Sequence, residues 1–298
     1  METNILNDYK KAGIVWASSI KIAQKKCKEG TSLLALAQEI EKYALDEGCT
    51  PAFPVNLSIN EEAAHFTPKW KDEYKLKESD ILKVDIGVAC NGYICDGAIS
   101  INLDNKYAKQ IEANDLALEN AISKVGFGKE IDLIGAEIEN TLKAKGFNPV
   151  YNLGGHGLEQ YDIHSWPSIP NHSKGSTTIM DEEGVIAIEP FASTGEGKVG
   201  EVKNVEIFSI EGKPTVRNPA AREIYKVAEQ YNKMPFAERW LRAQVNMDDF
   251  KFTFALKELM KTSIFHTYAG LKESKGAMVS QSEKSLIVLE DNVLVLGE

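Results

Sequence analysis

The chain has 298 residues, 43% hydrophobic and 26% charged, an ordinary globular composition that excludes a protein dominated by disorder or low-complexity tracts. Its formal charge of −10 disfavours a broad electrostatic footprint on nucleic acid or an anionic membrane. No apolar run approaches the ~20 residues of a membrane helix and no signal peptide follows Met1, so a cytoplasmic protein with one catalytic domain, 1–298, is expected.

Ile14, Val15, Ile20 and Ile22, then Leu33, Leu34, Leu36, Ile40 and Leu45, recur at helical spacing on both sides of Gly30 and predict an opening helix pair. From Ile81 the period changes: Leu82, Val84, Ile86 and Val88 alternate with Lys83, Asp85, Gly87 and Ala89, as in a half-buried strand. Asn91-Gly92 then predicts a tight hairpin turn. Two helical stretches, Tyr107 to Val125 and Leu133 to Lys145, precede the run Gly154-Gly155-His156-Gly157, and a strand is expected at Val185 to Glu189. Asn218 as an N-cap with Pro219 at the first helical position opens a helical stretch reaching Phe265, so residues 205–266 read as an inserted helical subdomain. Strand patterning returns at Ala277 to Leu289 and, after Asp291-Asn292, at Val293 to Leu296. Strands and helices interleave without a βαβ rhythm, so the fold class is α+β. Cys27, Cys49, Cys90 and Cys95 show no C-x-x-C spacing in a chain long enough to fold without staples, and are expected to be reduced.

A two-residue turn at Asn91-Gly92 would pair Ala89 with Ile94, Gly87 with Asp96 and Asp85 with Ala98. Asp85 and Asp96 then share one face as diagonal neighbours, roughly 5.5–8 Å apart, close enough to bridge cations. Taken singly, each could equally be a solvent-facing aspartate, but Val84, Ile86, Cys95 and Ile99 beside them suit a buried sheet, where carboxylates need cations or donors. His156 lies among glycines that let the backbone approach a ligand or turn sharply, and a plain loop histidine reads as well. Glu189 closes its strand ahead of Pro190, while Glu283 reads locally as an exposed edge-strand glutamate. Together Asp85, Asp96, His156, Glu189 and Glu283 make an oxygen-rich set suited to two divalent cations rather than to a tetrahedral structural zinc.

Ala52-Phe53-Pro54, Leu57-Ser58-Ile59-Asn60 and Ala63-Ala64-His65-Phe66-Thr67-Pro68 resemble the opening motifs of the type 2 methionine aminopeptidases. Val84-Asp85-Ile86-Gly87, Gly92-Tyr93-Ile94-Cys95-Asp96, Gly155-His156-Gly157 and Ala187-Ile188-Glu189 follow in that family's order, and the helical insertion precedes the last ligand as in type 2 members. The resemblance covers nearly the whole chain. It implies a pita-bread fold, a curved antiparallel sheet backed by helices, and a cytoplasmic, monomeric enzyme that removes initiator methionine ahead of a small second residue. Asp96 and Glu283 would bridge two divalent ions (cobalt, manganese, iron, nickel or zinc), Asp85 would hold one, and His156 with Glu189 the other. Glu189 would shuttle a proton, and His65 and His164 would contact substrate and steady the oxyanion. Phe53, Pro54, Ile163 and Tyr268 match the methionine pocket, although core packing explains the first three nearly as well.

The expected partners are the N-termini of nascent polypeptides, with transient ribosome contact and neither membrane nor specific nucleic acid. One departure stands out: Glu283-Lys284-Ser285 replaces the family's Glu-His-Thr, and strand alternation points Lys284 away from Glu283. The rival readings are an Xaa-Pro dipeptidase or aminopeptidase P with the same ligands, and a scaffold of this fold that has lost its metals.

Overall fold

The computed structural model describes residues 1–213, 216–262 and 264–298. The opening helix pair is present as α1 (Thr3–Lys26) and α2 (Leu33–Asp46). Helix α1 turns Tyr9, Ala12, Val15, Trp16, Ile20 and Ala23 inward, and α2 is capped by the Ser32 hydroxyl, which accepts from Ala35 N–H. Three short strands, β1 (Thr50–Pro51), β2 (Asn56–Ile59) and β3 (Glu62–Ala64), lead to the long hairpin of β4 (Ile81–Cys90) and β5 (Tyr93–Asn102). Asn91 and Gly92 both have positive φ, 52° and 85°, as a two-residue I′ turn requires. The register is the one counted from the turn: Ala89 faces Ile94, Gly87 faces Asp96 and Asp85 faces Ala98.

Strand β4 departs from the half-buried pattern, because all ten of its residues are buried. It pairs with β1 and β2 on one edge and β5 on the other, while α1 packs across both hairpin arms. Its polar positions therefore face the interior: Asp85 enters a cavity, and the Lys83 ammonium donates to Asn60 O at 2.9 Å. Such burial pushes the Lys83 amine down to about 7, against the pull of Glu62, Glu61 and Asp80.

The chain continues through α3 (Ala108–Ile122), α4 (Asp132–Ala144), β6 (Asn148–Pro149), β7 (Gly154–Glu159), β8 (Asp162–Pro170), β9 (Gly184–Ile188), β10 (Phe191–Ser193) and β11 (Gly200–Ile210). A helical lobe follows, with α5 (Pro219–Ala228), β12 (Phe236–Ala237), α6 (Glu238–Gln244) and α7 (Asp249–Lys261). Asn218 caps α5 as expected, accepting from Ala220 N–H. Strands β13 (Phe265–Lys272), β14 (Val279–Gln281), β15 (Lys284–Val288) and β16 (Val293–Val295) close the molecule. The single strand expected at Ala277 to Leu289 is thus broken, and Glu283 stands in the break.

Every pairing among the described strands is antiparallel, in the orders β1-β4-β2 with β5 on β4, β16-β15-β9-β7-β8, β12-β11-β13-β3 and β14-β10-β6. Helices α1 and α2 share one core with β4 and β5, and α3 and α4 share a second with β9 and β15. The α+β class holds. The lobe has its own core around Ile224, Phe236, Leu241, Phe252 and Leu259, joined to β11 and β13 through Phe208 and Phe265.

The cysteine expectation is corrected at one pair. Thr50 pairs with Ala89 across β1 and β4, so Cys49 and Cys90, the next residues outward, face each other with Cα atoms 4.6 Å apart and are disulfide-bonded. Cys27 and Cys95 are buried free thiols.

Candidate active site

Asp85, Asp96, His156, Glu189 and Glu283 converge on one cavity of about 60 Å³, and no lysine or arginine among the described residues lines it. Each arrives from a different part of the frame. Asp85 and Asp96 come from the two arms of the hairpin. His156 sits in β7, opposite Ala187 of β9. Its flanking glycines make room for neighbouring backbone: a Cβ at Gly155 would lie 2.0 Å from Ala187 O, and one at Gly157 would lie 1.9 Å from Trp166 O. They let the neighbouring backbones close around the histidine. Glu189 follows the end of β9.

Glu283 is no edge residue. It is 2% exposed, its N–H donates to Ala98 O at 2.9 Å, and its carbonyl accepts from Ala98 N–H at 3.3 Å. The ligand atoms of Asp96, His156 and Glu283 all lie within 4.8 Å of one another, and His156 Nε2 is 3.9 Å from Asp96 Oδ2.

The electrostatics of this group are unbalanced. Burial raises the Asp85 carboxyl to about 7, against hydrogen bonds from Gln281 and Asn56. Burial and then mutual repulsion hold Asp96, Glu189 and Glu283 well above the usual carboxylate range. Desolvation lowers the His156 ring to about 4, so it is neutral. A carbonyl oxygen only accepts, so the 3.2 Å contact of His156 Nδ1 with Gly157 O puts the proton on Nδ1 and leaves the Nε2 lone pair facing the carboxylates. Asp85 Oδ1 and Asp96 Oδ1 are buried with no hydrogen-bond partner. Four crowded carboxylates, orphaned oxygens and a bare imidazole nitrogen are what divalent cations would satisfy.

Behind the acids, Gln281 Nε2 donates to Glu283 Oε2 at 3.1 Å and to Asp85 Oδ2 at 3.4 Å. The Ser285 hydroxyl brackets the Asp96 backbone, accepting from its N–H and donating to its C=O, both at 2.8 Å. Lys284 faces the other way, its Nζ 5.0 Å from the Trp16 ring centre and 3.5 Å from Glu298.

His65, His164, Phe53, Ile163 and Tyr268 also line the cavity, whereas Pro54 is buried and is not part of the lining. His65 lies in the left-handed region (φ 64°), rare for a residue with a Cβ and a conformation that collects at functional sites. Its Nδ1 contacts Ala269 O at 3.1 Å and burial holds its pKa below the usual range, so the neutral ring offers Nε2 as an acceptor. The His164 ring centre lies 4.7 Å from that of His156; although the side chain is exposed, partial desolvation and then the neighbouring histidines hold its pKa below the usual range. The Tyr268 hydroxyl is 3.3 Å from Ser209 Oγ.

Asn56, Ala64, Ile207 and Pro235 complete the lining and were not singled out in the sequence. Asn56 pairs with Asp85 through β2, a signal the Leu57-Ser58 motif could have carried. Ile207 and Pro235 carry no local sequence signal. Gly87 makes room for the Phe53 ring: a Cβ there would lie 2.2 Å from Phe53 Cε1.

Residues 7–237 match the model of metallopeptidase family M24. A methionine aminopeptidase of Pyrococcus horikoshii is 41% identical over 278 residues, 93% of this chain and 94% of its own. Among solved structures, the methionine aminopeptidase of Thermotoga maritima superposes with a TM-score of 0.72 at 19% identity, covering 100% of this chain and 98% of that one. A thermophilic Arx1 superposes with a TM-score of 0.84 at 16% identity, covering 100% and 91%. These likenesses establish the pita-bread fold.

Proposed function

The chain belongs to metallopeptidase family M24, and from that premise we propose how its residues carry out the initiator-methionine removal performed by its methionine aminopeptidase relatives. It is a metal-dependent aminopeptidase that hydrolyses the first peptide bond of a polypeptide beginning with methionine. The observation that carries this reading is the convergence of Asp85, Asp96, His156, Glu189 and Glu283 on one cavity that no lysine or arginine among the described residues lines.

Asp85, Asp96, His156, Glu189 and Glu283 would hold two divalent ions, a number that suits this oxygen-rich donor set. The ions would supply Lewis acidity to the scissile carbonyl and lower the pKa of a coordinated water. Glu189 takes a proton from the attacking water and returns it to the leaving amine. His65, neutral and with Nε2 bare, is placed to accept from a substrate N–H. Oxyanion support then falls to His164, whose neutral ring can present an N–H donor. Phe53, Ile163 and Tyr268 form an apolar slot for an unbranched thioether.

The type 2 assignment rests on the helical lobe ahead of the last ligand, read as an inserted subdomain over residues 205–266 of one catalytic domain. A small second residue, nascent chains as substrate, transient ribosome contact, a monomer and a cytoplasmic location complete the proposal. No helix among the described residues is long and apolar enough to cross a membrane.

The test is hydrolysis of Met-Ala-Ser and Ala-Pro-Ser by chelated protein, before and after adding cobalt, manganese, iron, nickel or zinc. Metal-dependent methionine release alone is expected. Cleavage of only the proline peptide would transfer the chain to the Xaa-Pro branch, and silence from folded protein with every metal would favour a scaffold.

A further inference from the structure

A second buried polar centre lies outside the cavity, where the lobe meets the body. Arg239 of α6 is 3% exposed. Its Nη1 donates to Thr67 Oγ1 at 2.9 Å and to Pro68 O at 3.3 Å, and its Nη2 donates to Glu41 of α2. The same Glu41 oxygen accepts Val55 N–H at 3.1 Å, and its other oxygen accepts Trp240 Nε1–H at 2.9 Å. The Thr67 hydroxyl in turn donates a hydrogen bond to Val55 O at 2.8 Å, and Leu57 N–H donates to Phe66 O at 2.7 Å.

One guanidinium therefore ties together two segments that run side by side. The first carries Phe53 and Asn56 to the cavity, and the second carries His65. Pro235, which also lines the cavity, stands four residues before Arg239 in the lobe.

A buried ion pair is a poor way to gain stability, since apolar residues of equal volume often serve as well or better. What a planar fork provides is geometry, with donors aimed at fixed acceptors. His65 needs such a brace, because its left-handed backbone persists only where the surroundings over-determine it.

We propose that Arg239, paired with Glu41, is a positioning residue that sets the shape of the methionine slot from the inserted lobe. This rests on the aminopeptidase reading. Arg239 itself touches no reacting atom; it acts through Val55 and Thr67 on Phe53, Asn56 and His65. The lobe is accordingly part of substrate selection.

The experiment compares Arg239→Gln, Arg239→Lys, the charge-free double variant Glu41→Gln/Arg239→Gln and, as a control, Phe252→Leu in the lobe core, which packs on Arg242 rather than on the clamp. Each is assayed for kcat and KM on Met-Ala-Ser and Leu-Ala-Ser, with metal affinity from calorimetric titration and a thermal melt. The three clamp variants should lower the preference for methionine over leucine by about tenfold, mainly through KM for the methionine peptide, with metal affinity unchanged. Lysine should not rescue, because an ammonium cannot reach Thr67 and Glu41 together. Phe252→Leu should lose thermal stability yet keep the preference.

A folded clamp variant with the parent's preference would overturn the proposal, and so would an equal shift from Phe252→Leu. A parent chain that leaves Met-Ala-Ser intact with every metal would instead sink the aminopeptidase reading, and this inference with it.

Discussion

The acid cluster of Asp85, Asp96, Glu189 and Glu283 and the clamp of Glu41 with Arg239 are both withdrawn from water, yet their charges are arranged in opposite ways. The clamp sets one carboxylate against one guanidinium and fills both Glu41 oxygens with donors. Burial pushes Glu41 up and Arg239 down, and in each case the partner's charge opposes the push. The cluster sets four carboxylates around a neutral imidazole, where repulsion adds to burial and two oxygens stay orphaned. The clamp carries its own counter-charge as the chain folds, though Arg239 Nε is left without a partner; the cluster has no counter-charge of its own. On the proposed reading, the first centre holds shape and the second does chemistry.

The sharpest way to break the comparison is Asp96→Asn. Loss of this carboxylate should cost several kcal/mol of charge stabilisation at the reacting carbonyl, seen as a fall of about three orders of magnitude in kcat/KM for Met-Ala-Ser. The same substitution should raise the melting temperature of chelated protein, because a repelling charge is gone. A lower melting temperature would mean that the cluster is not frustrated.

Arg239→Met should do the reverse, costing about 3 kcal/mol in urea unfolding because Glu41 is left buried and unpaired. Adding Glu41→Gln should recover part of that loss, and no recovery would contradict the pairing. Ser285→Ala removes the bracket on the Asp96 backbone, at a cost of about 2 kcal/mol for the unmade buried hydrogen bonds. It should also weaken metal binding by about tenfold in a calorimetric titration, as an outer support of a ligand.

The smallest effect is pH-dependent. Burial, then repulsion from Glu238, raises the half-buried Glu206 carboxyl beside the clamp to about 7. Folded protein keeps this proton above the unfolded carboxylate pKa, so its stabilising contribution is full at low pH and is lost as pH rises through about 7. Glu206→Gln should therefore raise the melting temperature more at pH ~8.5 than at pH ~5. An equal shift at both values would show that Glu206 titrates normally.

The two centres were unequally legible in the sequence. Asp85 and Asp96 could be placed to the residue because Asn91-Gly92 admits one short turn, and that turn fixes every pair along the hairpin. Glu283 was misread locally as an edge residue, because no periodicity shows that the break between β14 and β15 lies against Ala98 of β5. The clamp was invisible: Glu41 and Arg239 are 198 residues apart on helices whose meeting depends on the whole fold. The Cys49–Cys90 bond escaped for a related reason, since it needs the register of β1 on β4, and a two-residue strand leaves no pattern. The short strands β2, β3, β6, β10 and β12 were unreadable on the same ground. Lys284 and Ser285 show what alternation does settle, because one faces Trp16 while the other grips Asp96.

The gap at Gly87 has one further consequence. The Phe53 ring occupies the space where a side chain of β4 would stand, so the depth of the proposed methionine slot would be set partly by atoms that are missing from the strand behind it. A single methyl there would push the ring forward like a piston. Redesign of this enzyme for bulkier or slimmer first residues could leave the wall untouched and act on the strand beneath.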